Sequence, residues 1–242
     1  EIWYTSTDGA IIKPYKTDVF GANIVSNTYE NGKGIIKFDG PVTMVGERAF
    51  AYKDLLKTIV LPNSVTLLGT DAFASIGYLE SIDTGLGVET LESRVFKTCG
   101  KLNSLIFSPK LKVIPAHAVQ HCYVSEITIP ESVEVIEDYA FEYCKVLKSF
   151  YGKYASMDGR SLIVNGRLVT IASNGLTEYT IPSEVTSVAP GVICTNNIVS
   201  FSGNFVSEDA TMIICDGVLC GIACAAVVDL VVPDGVTHIS PY

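Results

Sequence analysis

One pattern recurs along this chain at nearly fixed spacing, and it decides what the chain can fold into. Written Val-x-x-Ile-x-x-x-Ala-Phe-x-x-Cys, it runs from Val42 to Ala49-Phe50 and from Val65 to Ala72-Phe73. It returns from Val88 to Val95-Phe96 and Cys99, from Leu111 to Ala118-Val119 and Cys122, and from Val133 to Ala140-Phe141 and Cys144. The leading positions 42, 65, 88, 111 and 133 step by 23, 23, 23 and 22 residues. A second pattern, Leu-x-x-Leu-x-Leu in apolar terms, follows at Leu56 to Leu61, Leu79 to Thr84, Leu102 to Phe107 and Val124 to Ile129, and begins again at Leu147. Together they carry the signature of leucine-rich repeats. A turn of about 23 residues cannot bury its own apolar face, so such turns stack. The Leu-x-x-Leu-x-Leu stretch is extended, with its apolar side chains inward. Ala, Phe and Cys recur at helical offsets, which predicts one or two helical turns there. Pro62, Pro130, Pro182 and Pro233 stand just after strands, where they end a ladder without disturbing its interior.

The last hundred residues use a longer module. Under a shift of 51 residues, Ser156, Asp158, Asn165-Gly166, Leu168, Ala172, Pro182 and Val185 align with Ser207, Asp209, Asp216-Gly217, Leu219, Ala223, Pro233 and Val236. Asn-Gly or Asp-Gly between apolar runs is a hairpin signal, because a type I′ turn needs positive φ twice. Each module is therefore read as a repeat turn with an inserted β-hairpin, near 152–175 and near 204–226. The segment 1–40 is read as a β-rich cap over the first turn, and 41–242 as the solenoid.

Composition removes whole classes of function. The chain is 48% hydrophobic and 18% charged, with mean hydropathy +0.35, which excludes a disordered chain. A net charge of -9 argues against binding a phosphate backbone. The longest apolar run, Val218 to Val228, is too short to span a membrane. The start at Glu1 shows no signal peptide, and the final turn stops inside a repeat at Tyr242. Seven cysteines, an odd and sparse set, read as mostly free, small buried groups.

With these residues laid out, the chain resembles the BspA-like leucine-rich-repeat family. The carriers are Val42 to Phe50, Val65 to Phe73, Ala140-Phe141-Glu142-Tyr143-Cys144, Ile127 to Val133 and Glu178 to Pro182. The resemblance covers about 34–242. It departs at Val192-Ile193, which replaces Ala-Phe, and at Asn196, which replaces the Cys. It implies a secreted or surface-anchored bacterial protein, mostly non-enzymatic, some of whose relatives bind host matrix proteins.

Each chemically suggestive residue has a plain alternative. Cys99, Cys122 and Cys144 share one repeat position with Lys53, Ile76 and Asn196. Stacking places their thiols within disulfide range, but a small group filling a tight corner is the preferred reading. Cys215, Cys220 and Cys224 lack the usual C-x2-C spacing of zinc sites, and their counterparts in the other module are Val164, Val169 and Ser173. His117 and His121 are read as solvated surface histidines. Asp158 and Asp209 are read as turn formers, and Glu137-Asp138 as scattered carboxylates. No metal or cofactor is expected, calcium included, and no phosphate loop, nucleophile elbow or dinucleotide fingerprint occurs.

What remains is the outward face of the predicted ladder of eight or nine strands. Its positions are Lys57, Thr58, Val60; Glu80, Ser81, Asp83; Asn103, Ser104, Ile106; Ser125, Glu126, Thr128; and Lys148, Ser149, Tyr151. Thr177, Glu178, Thr180, Val228, Asp229 and Val231 continue it. The binding candidates are Lys57, Thr58, Glu80, Asp83, Asn103, Ile106, Glu126, Thr128, Lys148, Tyr151 and Glu178. The reading is a single right-handed, β-rich leucine-rich-repeat solenoid at the bacterial surface or outside the cell. It acts in adhesion or protein–protein recognition and is not an enzyme. The partner is a host matrix or other surface protein, with no nucleic acid. A glycan-binding module with Tyr151, Tyr154 and Tyr179 as platforms is the first alternative, and a structural spacer the second.

Overall fold

The structure is a computed structural model that describes residues 1–193, 197–225 and 229–240. Asn196, Val228 and Tyr242 lie outside the described residues. The chain winds into a β-solenoid of about eight coils, as the repeat pattern requires. The Leu-x-x-Leu-x-Leu stretches become strands that stack in parallel. Thr58, Ile59 and Val60 sit in register with Ser81, Ile82 and Asp83, and these with Ser104, Leu105 and Ile106. Glu126–Ile129 pairs in parallel with Ser149–Gly152, and Glu178–Thr180 with Ser200–Ser202.

Among the described residues seven strands of this ladder lie in three sheets rather than in one, and the strand expected at 228–231 falls partly outside those residues. The breaks have physical causes. Between Ser104–Ile106 and Glu126–Ile129, one residue is missing from the corner before the strand. Cys99 and Leu102 are three positions apart, as are Cys144 and Leu147, but Cys122 and Val124 are two apart. The other break falls where the residues of the first Asn-Gly module intervene. There Arg160 Nη1 donates to the carbonyls of Lys148 (2.9 Å), Ala172 (3.3 Å) and Asn174 (3.1 Å), tying the coil edges together through one guanidinium.

The Val-x-x-Ile stretches form a second, narrower ladder. Met44–Val45 pairs in parallel with Leu67–Leu68, and this with Thr90–Leu91; Val113–Ile114 pairs with Val135–Ile136. Between the two ladders, Phe50 stacks on Phe73 with centroids 5.5 Å apart, and Phe73 on Phe96 at 5.9 Å. All three are fully buried. A buried Phe contributes roughly 1.5–3 kcal/mol, so this column is a main source of cohesion between coils.

The Ala-Phe-x-x-Cys segments are not helical, which corrects the sequence reading. In the first copy, Ala49 N–H donates to Gly46 O and Ala51 N–H to Arg48 O, each three residues back. The amides between them turn outward. Arg48 N–H donates to Thr70 O, Phe50 N–H to Ala72 O, and Tyr52 N–H to Ala74 O, all in the next coil. A helix would need those amides for itself. The alternation requires left-handed residues, and they recur as Arg48/Tyr52, Asp71/Ser75, Arg94/Thr98, His117/His121 and Tyr139/Tyr143, with φ between 56° and 63°. None is glycine. The helical spacing of Ala, Phe and Cys therefore reflects a chain of tight turns whose free amides are satisfied by stacking.

At the N-terminus, Ile2–Ser6 pairs antiparallel with both Leu56–Val60 and Lys33–Phe38, and Lys33–Phe38 pairs with Ile24–Glu30. Further on, Ser161–Val164 and Arg167–Ile171 pair antiparallel around Asn165 (φ 51°) and Gly166 (φ 79°). Met212–Cys215 and Val218–Ile222 do the same around Asp216 (φ 50°) and Gly217 (φ 74°). The second strand of each pair joins the narrow ladder, Arg167–Leu168 on Ser187–Val188 and Val218–Leu219 on His238–Ile239. Arg167 also makes a two-pronged pair with Asp138, at 2.5 and 3.0 Å.

Candidate interaction surface

The pleat of the wide ladder sorts its side chains into rows. Leu56, Ile59, Ile82, Leu105, Ile127 and Phe150 point inward and are buried. Outward, the first row holds Lys57, Glu80, Asn103, Ser125 and Lys148. The second holds Thr58, Ser81, Ser104, Glu126, Ser149 and Glu178, and the third Val60, Asp83, Ile106, Thr128, Tyr151 and Thr180. Asn103, Ile106, Glu126, Thr128, Lys148, Tyr151 and Glu178 are exposed, while Lys57, Thr58, Glu80 and Asp83 are half-buried.

These residues share one face, and several are tied to each other. Lys57 Nζ lies 3.6 Å from Glu80 Oε2, a solvent-accessible surface pair that contributes little to stability. The Thr58 and Thr5 hydroxyls are 2.7 Å apart, and those of Thr180 and Ser202 are 2.8 Å apart. Asp83 accepts a 2.9 Å hydrogen bond from Gly85 N–H, which turns its carboxylate toward its own chain. The face is largely open, indented by a cleft of about 380 Å³ beside Trp3 and Val60 and one of about 310 Å³ beside Ser149 and Tyr151.

Trp3 is the surface residue that sequence reasoning missed. It stands opposite Val60 in the antiparallel pairing, so it continues the third row, and it is 45% exposed. Lys33 Nζ lies 3.4 Å from the centroid of its ring, a cation–π contact. The available signal was the alternation Ile2, Tyr4, Ser6 inward against Trp3 outward, which places Trp3 on a half-buried strand.

Two of the three aromatic platforms are not free. Tyr179 is in the core, 6% exposed, and burial pushes its phenol up to about 12, with the nearby Ser161 hydroxyl acting in the opposite direction. Tyr154 packs half-buried against the core and donates to Glu134 O at 3.3 Å. Tyr151 remains exposed.

The histidines lie at the surface, His121 exposed and His117 half-buried, and each makes a contact to the next coil. His117 Nδ1 lies 3.1 Å from Glu142 Oε2, and its ring stacks on Tyr139 at 5.6 Å. Gln120 Nε2 donates to the same Glu142 oxygen in a short contact. His121 stacks on Tyr143 at 4.5 Å, and burial pulls its pKa down, with Lys145 and Lys97 adding to the effect and Glu142 opposing it. Both imidazoles serve contacts between coils.

The cysteines in one column have a structural use. Cys99 Sγ donates to Phe73 O at 3.0 Å, Cys122 Sγ to Phe96 O at 3.0 Å and Cys144 Sγ to Val119 O at 2.9 Å. None of the three is in a disulfide, and burial pushes the Cys122 thiol well up. Cys215 and Cys220 are buried and Cys224 exposed; desolvation raises Cys220 to about 11. Among the described residues, no three His, Cys, Asp or Glu side chains are placed to hold a metal ion. Asp158 accepts from Ser156 Oγ and Arg160 N–H, and Asp209 from Ser207 Oγ and Thr211 N–H. These bonds close turns. Glu137 accepts from Ala116 N–H at 2.8 Å, and Asp138 is held by Arg167.

Among the described residues, no helix is long and apolar enough to cross a membrane. The model of the BspA type Leucine rich repeat region matches residues 22–148 in six copies, just over half of the chain. Among solved structures, a leucine-rich repeat protein from Eubacterium ventriosum is similar at 22% identity and TM-score 0.54, covering 76% of this chain and 56% of its own. One from Bacteroides ovatus is 20% identical with TM-score 0.50, covering 88% and 69%. The leucine rich repeat protein of T. pallidum is 24% identical with TM-score 0.46, covering 71% and 73%. The chain thus spans little more than half the length of the Eubacterium protein, and these likenesses concern the fold alone. No curated protein matches the chain.

Proposed function

The chain belongs to the BspA-type leucine-rich-repeat family, and from that premise we propose that it is a non-enzymatic recognition protein of the bacterial surface or exterior that binds another protein through the wide ladder. The carrying observation is the ladder's outward face. It is broad and shallow, with Ser, Thr, Asn, Lys and Glu in two rows and exposed Val60, Ile106 and Tyr151 in the third. Such a surface suits an extended protein contact, whereas small-molecule sites are concave and enclosing.

Glycan capture has weaker support. A sugar-stacking platform needs free aromatic faces, and of the three sequence candidates only Tyr151 offers one: Tyr179 is buried, Tyr154 packs against the core, and Lys33 covers one side of Trp3. Host matrix proteins are the natural partner class for a surface protein of this kind. The test is binding of the purified chain to immobilised matrix proteins and glycans, alongside a variant carrying Glu80→Lys and Glu126→Lys. Protein binding that the variant loses is the expected result. Binding to glycans alone would transfer the reading to polysaccharide capture, and silence across the panel would leave a spacer.

A further inference from the structure

We infer that the edge where the Ala-Phe-x-x-Cys turns meet the wide ladder, from Lys97 to Lys148, is a second interaction surface, and that it takes an acidic protein segment with apolar residues among its carboxylates. This surface lies beside the ladder's outward rows and is independent of the reading above. Positive charge is left unmatched along it. Among the described residues, Lys13, Lys97, Lys145 and Lys148 are the lysines whose side chains make no ion pair, hydrogen bond or ring contact, and three of the four stand here. Lys101 stands here too and touches only the Tyr78 ring, at 4.0 Å. Stacking gathers these groups. Thr98 N–H donates to Gln120 O and His121 N–H to Glu142 O, so Lys97, His121 and Lys145 come from three successive coils. Burial lowers the His121 pKa, and Lys145 and Lys97 add to the effect against Glu142, which sets both ammonium groups near that ring. Tyr78, Lys101, Tyr123 and Lys145 follow one another at the corners of four coils, one or two residues after Ile76, Cys99, Cys122 and Cys144. Nearby carboxylates leave the charge in place. Glu142 is buried against His117 and Gln120, Glu80 pairs with Lys57, and Glu126 on the second row forms no ion pair.

The side chains present decide the chemistry of the occupant. Apart from His121, every cation on this edge is a lysine, a compact charge on a flexible stem that suits a single carboxylate. The planar fork that grips phosphate or sulfate in two places belongs to arginine, and all four arginines are engaged elsewhere. Arg48 and Arg94 pair with Asp71, Arg167 with Asp138, and Arg160 bonds backbone carbonyls. Tyr78 and Tyr123, 45% and 54% exposed, stand among the lysines. Lys101 covers a face of Tyr78 and His121 a face of Tyr143, so little aromatic surface is left for a sugar ring. Exposed tyrosines between charges are, however, well suited to apolar side chains of a protein, where Tyr is an enriched contact residue. A segment with leucine or aromatic residues between its acids therefore meets the lysines and the tyrosines together. The net charge of -9 does not forbid this. The Debye length is about 8 Å at physiological ionic strength, so for a segment lying on the edge the nearby lysines outweigh the acidic groups of distant faces. Complementary charge then sets the approach and the register of the contact.

The probe is a short fluorescein-labelled peptide of Glu with Leu at every third position. Its controls carry Gln for Glu or Ser for Leu, and heparin and polyphosphate supply negative charge without protein side chains. Anisotropy and calorimetry on the full chain read the binding. The expected result is saturable binding at low salt that high salt abolishes. It should weaken at least tenfold with Lys97→Gln and Lys145→Gln together, and with either control peptide. Lys110→Gln with Lys112→Gln removes the same charge from the narrow ladder and should leave binding unchanged. Circular dichroism checks that the variants fold, and Lys101→Gln with Lys148→Gln, both at exposed positions, repeats the test without touching half-buried Lys97. Equal loss in the narrow-ladder variant would reduce the effect to bulk charge and overturn the inference. So would equal binding of the Ser-for-Leu peptide, or binding of heparin or polyphosphate with no response to the acidic peptide. Peptide binding that survives Glu80→Lys with Glu126→Lys supports an edge separate from the ladder rows. If a matrix protein binds and that ladder variant abolishes it while the acidic peptide is silent, the edge is refuted and ladder recognition stands.

Discussion

The Cys122 thiol donates a 3.0 Å hydrogen bond to the carbonyl of Phe96, one coil earlier. Cys99 and Cys144 repeat the arrangement on Phe73 and Val119. The corner takes an apolar group, as the buried Ile76 does at the same repeat position, and in these three coils it also contains a carbonyl that backbone stacking leaves without a donor. Cysteine is small, apolar and a weak donor, which answers both demands.

Removal of that donor should therefore cost more than its volume suggests. Cys122→Ala strands a buried carbonyl, a loss of about 1–3 kcal/mol. Cys122→Ser retains a donor and should destabilise less than Ala. Denaturant unfolding of the two variants measures the order. In the native chain Cys99, Cys122 and Cys144 should resist thiol reagents, as peptide mapping after labelling would show.

The left-handed columns give a second test. Ser75 has φ 57°, and its N–H donates to Lys97 O, a bond any residue except proline retains. A left-handed conformation costs a non-glycine residue roughly 1–2 kcal/mol, while glycine adds about 0.5–1 kcal/mol of chain entropy. Ser75→Gly should raise the melting temperature slightly, and Ser75→Val, branched at Cβ, should lower it. A helix at this position would give the opposite ranking for glycine, so the comparison also checks the turn geometry.

How far the sequence announced this structure depends on which interaction set each feature. Strand positions and inward rows were legible because side-chain burial alone sets them. Leu56 and Ile59 mark one coil and Leu79 and Ile82 the next, and Leu or Ile serves equally because only apolarity matters there. The turns were misread because their hydrogen bonds run to the next coil, as with Phe50 N–H and Ala72 O, and no local window contains both partners. Trp3 was overlooked because its row begins in an antiparallel strand that lacks the repeat. Tyr179 was placed outside because its neighbours Glu178 and Thr180 look alike in polarity to a surface strand, yet the pleat turns it inward.

His121 makes stability depend on pH. Partial burial of this otherwise exposed ring lowers its pKa in the folded chain below the ordinary 6.5, with Lys145 and Lys97 adding to the effect and Glu142 opposing it. The unfolded chain then binds more protons between the two values, so stability rises with pH there. The contribution is complete above the unfolded value and is lost as pH falls through 6.5 and the lower folded value. His121→Phe preserves a stacked ring without the titration. The fall in melting temperature from about pH 7.5 to about 5.5, a window that brackets the ordinary histidine value, should be smaller for the variant than for the parent chain.

The missing residue after Cys122 offers the most direct test of how spacing sets the ladder. Elsewhere the strand begins three positions after the corner cysteine, and its first amides reach the preceding coil: Asn103 N–H donates to Glu80 O and Lys148 N–H to Ser125 O. At Val124 the corner is one residue short, and no strand pairing joins Ser104–Ile106 to Glu126–Ile129 among the described residues. Inserting one glycine between Cys122 and Tyr123 restores the spacing. Ser125 N–H can then reach Asn103 O, as Lys148 N–H reaches Ser125 O in the next coil. Hydrogen exchange should slow at Ser125 and Glu126, and unfolding should move to higher denaturant, because two strands that pack without backbone bonds would gain them at about 0.5–1.5 kcal/mol each. Unchanged exchange at these amides would mean that the break comes from the packing of Leu105 and Phe107 beneath the ladder, and that the short corner is its consequence.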